Sequence, residues 1–185
     1  MMKALSLLFV MMTGFVSAQD KFSFTKDGLT DYVVTEVTGK TKSEMYKKTL
    51  DWISVTYKDP KDGVRGQAEN DFIKFEGSGK DIVCLDALGK KKCNNAKYQV
   101  LVSFKDGKYK FDVISISIYN EASSTNAAGW TAMKLDANDY YGKLGEIKNA
   151  YKHYPEMIPA FFDNLNASLK EFILNGVVPA KKSDW

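Results

Sequence analysis

Asp106-Gly107 lies between two long runs that alternate apolar and polar residues, Tyr98–Phe104 and Tyr109–Ile118. An Asp-Gly pair in that setting is among the strongest local signals for a β-hairpin, because both central residues of the favoured turn need positive φ. Centring the turn there makes Phe104 face Tyr109, Val102 face Phe111 and Val100 face Val113, all on one side. Ser103, Lys110 and Asp112 fall on the other side, which reads as solvated. The alternation fails past Val113, since Ile114, Ile116 and Ile118 would point to the wrong face. Either a bulge near Val113 flips the phase or the far end is covered on both faces.

The two cysteines of the chain, Cys84 and Cys93, yield to the same arithmetic. With Leu88-Gly89 at the tip of a second hairpin they stand directly opposite each other, within disulfide reach. Two free thiols or a metal pair compete with this pairing, but two thiolates with no histidine nearby make a poor zinc site. The spacing is not Cys-x-x-Cys, which argues against a redox pair. A structural disulfide is therefore expected.

Around the hairpins, Asp31–Thr38 reads as a strand. Thr41 and Glu44 match a capping box opening a helix over Lys42–Tyr57, with Tyr46, Leu50, Ile53 and Tyr57 on its apolar face and Met45, Thr49 and Trp52 widening it. Asp59–Gly63 reads as the turn that ends it. Val64–Glu69 and Phe72–Glu76 flank a tight turn at Asn70-Asp71, Gly77-Ser78-Gly79 reads as a bulge or break, and Ile82–Leu85 resumes extended structure. Asn120–Ala137 is expected to be a long connection anchored by Trp130 and Met133. A helical pattern is expected over Asp139–Tyr151, and a last helix should begin at Pro155 and run to Asn175, with Gly176 past its end. Val177–Trp185 reads as a frayed tail.

The N-terminus carries a targeting signal. Lys3, an apolar stretch from Ala4 to Met12 and Val16-Ser17-Ala18 predict a signal peptide over residues 1–18 and a single domain over 19–185. The apolar stretch is too short for a comfortable membrane span. The expected product is soluble, periplasmic or secreted, in a compartment where a disulfide persists. The formal net charge of +3 drops by one when Lys3 is removed, too little for an electrostatically driven nucleic-acid binder.

Thr41-Lys-Ser-Glu-Met-Tyr46, Trp52 six residues on, and Val102-Ser-Phe-Lys-Asp-Gly-Lys-Tyr-Lys-Phe111 together resemble DUF4468, a family of secreted bacterial proteins of unknown function with a TBP-like fold. The likeness runs from about Asp31 to Tyr119. The Cys84–Cys93 insert is not part of that pattern, and the C-terminal helices at 139–175 lie beyond it. The resemblance implies an α+β fold, a curved antiparallel sheet of about five or six strands with helices packed on one face. It brings no catalytic residues with it, and the TBP-like label describes shape and not DNA binding.

No catalytic constellation stands out. His153 is the sole histidine and reads as part of an ordinary helix junction. Glu69 and Asp71 sit at a turn, where acidic residues are common. Asp136, Asn138 and Asp139 have a faint calcium-like spacing without the Gly and Glu of an EF-hand loop. Gly77–Lys80 echoes a phosphate loop only superficially. Asn166-Ala-Ser168 is a sequon set mid-helix. Lys90-Lys91-Lys92 could meet anionic lipid or polysaccharide, though a charged tip that discourages edge pairing is the simpler role.

A non-enzymatic, exported binding protein is the leading expectation, with no cofactor or metal. Its partner would be an unidentified envelope or extracellular protein. Tyr98, Phe104, Tyr109 and Phe111 are the candidate binding residues wherever the helices leave them open, with core packing as the competing role. The alternative is a carrier of a lipid-like molecule, with Phe161, Phe162, Leu165 and Phe172 lining a cavity between sheet and C-terminal helix.

Overall fold

The computed structural model describes residues 20–57, 63–123 and 127–177. The signal peptide read at 1–18, most of the turn at Asp59–Gly63 and nearly all of the tail from Val177 lie outside the described residues.

In chain order the elements are β1 (Phe24–Thr25), β2 (Gly28–Leu29), β3 (Tyr32–Glu36), α1 (Lys42–Thr56), β4 (Val64–Ala68), β5 (Phe72–Ala87), β6 (Lys90–Lys105), β7 (Lys108–Asn120), β8 (Gly129–Ala132), a 3₁₀ turn (Asn149–Tyr151) and α2 (Tyr154–Asn175). β1 and β2 pair only with each other. The other six strands form one antiparallel sheet in the order β3-β7-β6-β5-β4, and β8 joins β7 beyond the end of β3. The fold is α+β, as expected.

The Asp-Gly hairpin has the inferred register: Phe104 opposes Tyr109, Val102 opposes Phe111 and Val100 opposes Val113. The register then shifts, so that Gln99 opposes Ser115 and Tyr98 opposes Ile116. Ile114 is the extra residue and is exposed, while Val113 and Ile116 are both buried. A bulge, and not double coverage, resolves the phase problem. The turn also organises its surroundings. The Asp106 carboxylate accepts the backbone N–H of Lys42 at 2.8 Å, at the first turn of α1. That helix starts with the capping box at Thr41 and Glu44.

Both helices cover the same sheet face. From α1, Trp52 meets Phe75 with ring centroids 5.7 Å apart and Tyr46 meets Phe104 at 5.9 Å. From α2, Phe162 meets Tyr98 at 5.5 Å. Val33, Ile73, Val100, Val102 and Phe111 fill the space beneath. α2 begins with Pro155 in its first turn and ends at Gly176, which takes φ 70°.

Three expectations are corrected. Of the two alternatives at Gly77-Ser78-Gly79, the break is the one corrected, since β5 runs through it, while a bulge-like register shift does occur between Gly79 and Val83. Gly77 is needed for space instead, because a Cβ there would lie 2.5 Å from the Tyr98 hydroxyl and 2.6 Å from the Tyr57 ring. The span Asp139–Lys148 is not helical. A Tyr141–Ile147 bridge closes it, with Gly142 N–H bonded to Glu146 C=O and Gly145 at φ 85°. Its aromatic residues reach the core from turns, with Tyr140 packing against Phe24, Tyr151 and Tyr154. Third, the connection after β7 contains an edge strand. Met133 is buried there, but Trp130 is half-exposed, resting on Tyr119 with the Lys97 ammonium 4.9 Å from its ring centroid.

Candidate binding site

The aromatic hairpin residues are core. Tyr98, Phe104, Tyr109 and Phe111 are each at most 4% exposed. Their side chains alternate onto the face that α1 and α2 cover, so they offer no surface to a partner. Burial pushes the Tyr109 hydroxyl well above its ordinary pKa and that of Tyr98 up to about 12. Both stay neutral near pH 7 and cannot act as bases.

Tyr109 belongs to a buried polar cluster that joins the sheet to α2. Its hydroxyl donates to Asn166 Oδ1 at 2.8 Å, and Asn166 Nδ2 donates to Thr35 Oγ1 at 2.8 Å. Asn166 is therefore a core residue and not an open glycosylation site. Phe162, Leu169 and Phe172 are also buried. Phe162 sits among Phe22, Tyr98 and Phe161.

One of the open grooves among the described residues lies at the sheet edge above that cluster. A groove of about 750 Å³ runs between β3 and α2. Val34, Thr35 and Glu36 form one wall, and Ala160, Asp163, Ala167 and Lys170 form the other. Asp20 and Lys21 close one side. Asp163 Oδ1 accepts the Phe22 N–H at 2.9 Å, which fixes the incoming chain.

The backbone of β3 determines what this groove can do. β3 pairs with β7 alone, and Val37 donates its N–H to Gly107 C=O at 2.8 Å. Direction alternates along an antiparallel strand, so Val33 and Thr35 also face β7, while Val34 and Glu36 direct their N–H and C=O outward. Among the described residues nothing pairs with those outward groups. The small side chains of Ala160 and Ala167 leave room opposite them. Sequence reasoning identified β3 as a strand but missed the groove, because its edge position depends on the order of the strands in the sheet.

The remaining sequence candidates are engaged in structural contacts. His153 Nε2 lies 4.0 Å from Asp86 Oδ2 at the start of α2. Asp136 accepts the Asn138 N–H and Asp139 pairs with Lys134, so the calcium-like spacing is a local turn. Glu69 and Asp71 flank the β4–β5 turn, where Asn70 takes φ 60°. Cys84 and Cys93 form a disulfide at the expected register position. No described helix is long and apolar enough to cross a membrane.

Residues 32–119 match the model of DUF4468, the domain of unknown function with TBP-like fold. The crystal structure of a DUF4468 family protein from Bacteroides ovatus is similar with a TM-score of 0.58 at 11% identity, over 84% of this chain and 91% of that one. A TBP-like protein from Parabacteroides distasonis is similar with a TM-score of 0.52 at 18% identity, over 78% and 91%. At these identities the likeness establishes the fold alone, and it extends well beyond the matched segment. No curated protein matches the sequence.

Proposed function

We propose, from the premise that residues 32–119 form a DUF4468 domain, that this chain is an exported, non-enzymatic interaction protein. It holds an extended segment of a protein partner along the outer edge of β3. The observation that carries this reading is the open backbone edge at Val34 and Glu36 facing a strand-wide groove. Main-chain hydrogen bonding along such an edge supplies affinity, and side-chain pockets supply selection. The charged rim of Lys21, Glu36, Asp163 and Lys170 suits a polypeptide better than a lipid chain. The disulfide supports export, since such bonds persist in oxidising compartments.

Proline at Val34 is the direct test. It deletes one outward N–H and leaves the ladder to β7 whole, a position where edge strands tolerate proline. Crosslinking pull-down from the native envelope should lose its captured protein with Val34→Pro, while the melting temperature shifts by only a few degrees. Equal capture by a well-folded variant would overturn the edge reading. The carrier alternative predicts a small molecule that co-purifies and is seen by native mass spectrometry.

A further inference from the structure

The β5–β6 hairpin ends in Leu88-Gly89, far in function from the β3 groove, and its tip is built against its own stability. Leu88 is fully exposed and takes φ 53°, followed by Gly89 at φ 78°. A turn with positive φ at both central residues is ordinarily met by Asn-Gly or Gly-Gly. A γ-branched aliphatic in the left-handed region carries steric strain. Here it also sets an apolar side chain in water and gains no contact with the rest of the fold.

Lys90, Lys91 and Lys92 follow directly, and all three are exposed. The carboxylate that should neutralise them is already engaged elsewhere. Asp86 Oδ1 accepts the Gly89 N–H at 2.9 Å and Oδ2 pairs with Lys152 at 2.5 Å, leaving that side chain 3% exposed. The tip therefore presents one exposed aliphatic side chain followed by three exposed lysines, on both faces of the strand, that form no ion pair among the described residues. The Cys84–Cys93 bond and the ladder from Leu85↔Lys92 to Ala87↔Lys90 hold it in this shape.

We propose that this tip docks the protein on an anionic lipid surface. Leu88 enters the boundary between headgroups and acyl chains, while Lys90, Lys91 and Lys92 bind lipid phosphates. Leu88 is what favours lipid over a soluble polyanion, which would use the lysines and have no use for an exposed leucine. Stable anchoring takes both an apolar and an electrostatic contribution, and the tip supplies one of each. Each lysine near an anionic surface strengthens binding by about fivefold, so the three together account for roughly a hundredfold.

The test is cosedimentation of the disulfide-bonded protein with vesicles of equimolar phosphatidylglycerol and phosphatidylcholine, against vesicles of phosphatidylcholine alone. Binding is expected only to the anionic vesicles, weakening as salt is raised. Lys90→Gln, Lys91→Gln and Lys92→Gln together should lower the affinity roughly a hundredfold. Leu88→Gly should weaken binding and at the same time raise the melting temperature, since glycine relieves the left-handed strain. That opposite movement separates a docking residue from a structural one. Val34→Pro should leave vesicle binding unchanged, so this proposal and the β3 reading fail independently. No binding to anionic vesicles overturns the proposal. So does wild-type affinity for Leu88→Gly, or lysine-dependent binding to soluble polyphosphate without binding to vesicles.

Discussion

Asn166 shows how much one side chain can join. It is nearly buried in the middle of α2, yet its amide meets Tyr109 from β7 and Thr35 from β3. A buried polar group is tolerated only when its partners are present, and removing one partner leaves the others desolvated. Asn166→Ala would orphan the Thr35 hydroxyl, whereas Tyr109 could still donate to the Asn166 carbonyl at 3.2 Å. We expect Asn166→Ala to lower stability in urea by about 1–3 kcal/mol and Tyr109→Phe by about 1 kcal/mol. The double variant should lose less than the sum, because both changes remove the same bond. Additive losses would mean that the cluster does not act as a unit. The sequence offered no route to this cluster. Asn166 read as a sequon member on a mid-helix face, and only the packing of α2 over the β3–β7 pair turns it inward.

The elements were legible where a local rule determined them. Asp106-Gly107 fixed one hairpin, Leu88-Gly89 the other, and Thr41 with Glu44 fixed the start of α1. The failures have physical causes. Asp139–Tyr151 reads as a helical pattern, but Gly142 and Gly145 favour turns, and the rings of Tyr140 and Tyr141 reach Phe24 and Tyr154 without helical backbone. Strand order in the sheet depends on contacts far apart in the chain, so neither the edge position of β3 nor the groove beside it was visible. The bulge in β7 stands between these cases, since the sequence exposed the phase error without saying how it is absorbed. Its position makes a sharp contrast between neighbours. Ile114→Lys should change stability by less than about 0.5 kcal/mol, as surface substitutions usually do. Ile116→Lys places an ammonium in the core and should cost several kcal/mol or prevent folding. Chemical denaturation of the two variants measures this, and similar losses at both would move the bulge elsewhere.

At the scale of the molecule, the disulfide hairpin is an arm that continues the sheet from the core out to the Leu88 tip. β5 and β6 are each sixteen residues long. Their near halves are buried beneath the helices, with Ile73, Phe75, Val100 and Val102 at zero exposure, while their far halves run out to the Leu88 tip. Ile82, Val83 and Ala96 still anchor the arm at its base. The Cys84–Cys93 bond closes a short loop, with a sequence separation of 9, near the end of the arm. On the chain-entropy account such a loop contributes about 2–3 kcal/mol. In a chain of this length that corresponds to a shift of roughly 5–10 °C in melting temperature. Denaturing alkylation of the oxidised protein should find no free thiol, and two alkylatable thiols would refute the bond. Reduction should lower the melting temperature by about that amount and leave the circular dichroism of the sheet and helices in place. Vesicle binding should fall further than the small loss of stability explains, because the bond holds the docking tip in shape. Complete unfolding on reduction would show that the arm is part of the cooperative core. A reduced protein that still binds vesicles fully would show that the turn holds its shape without the bond.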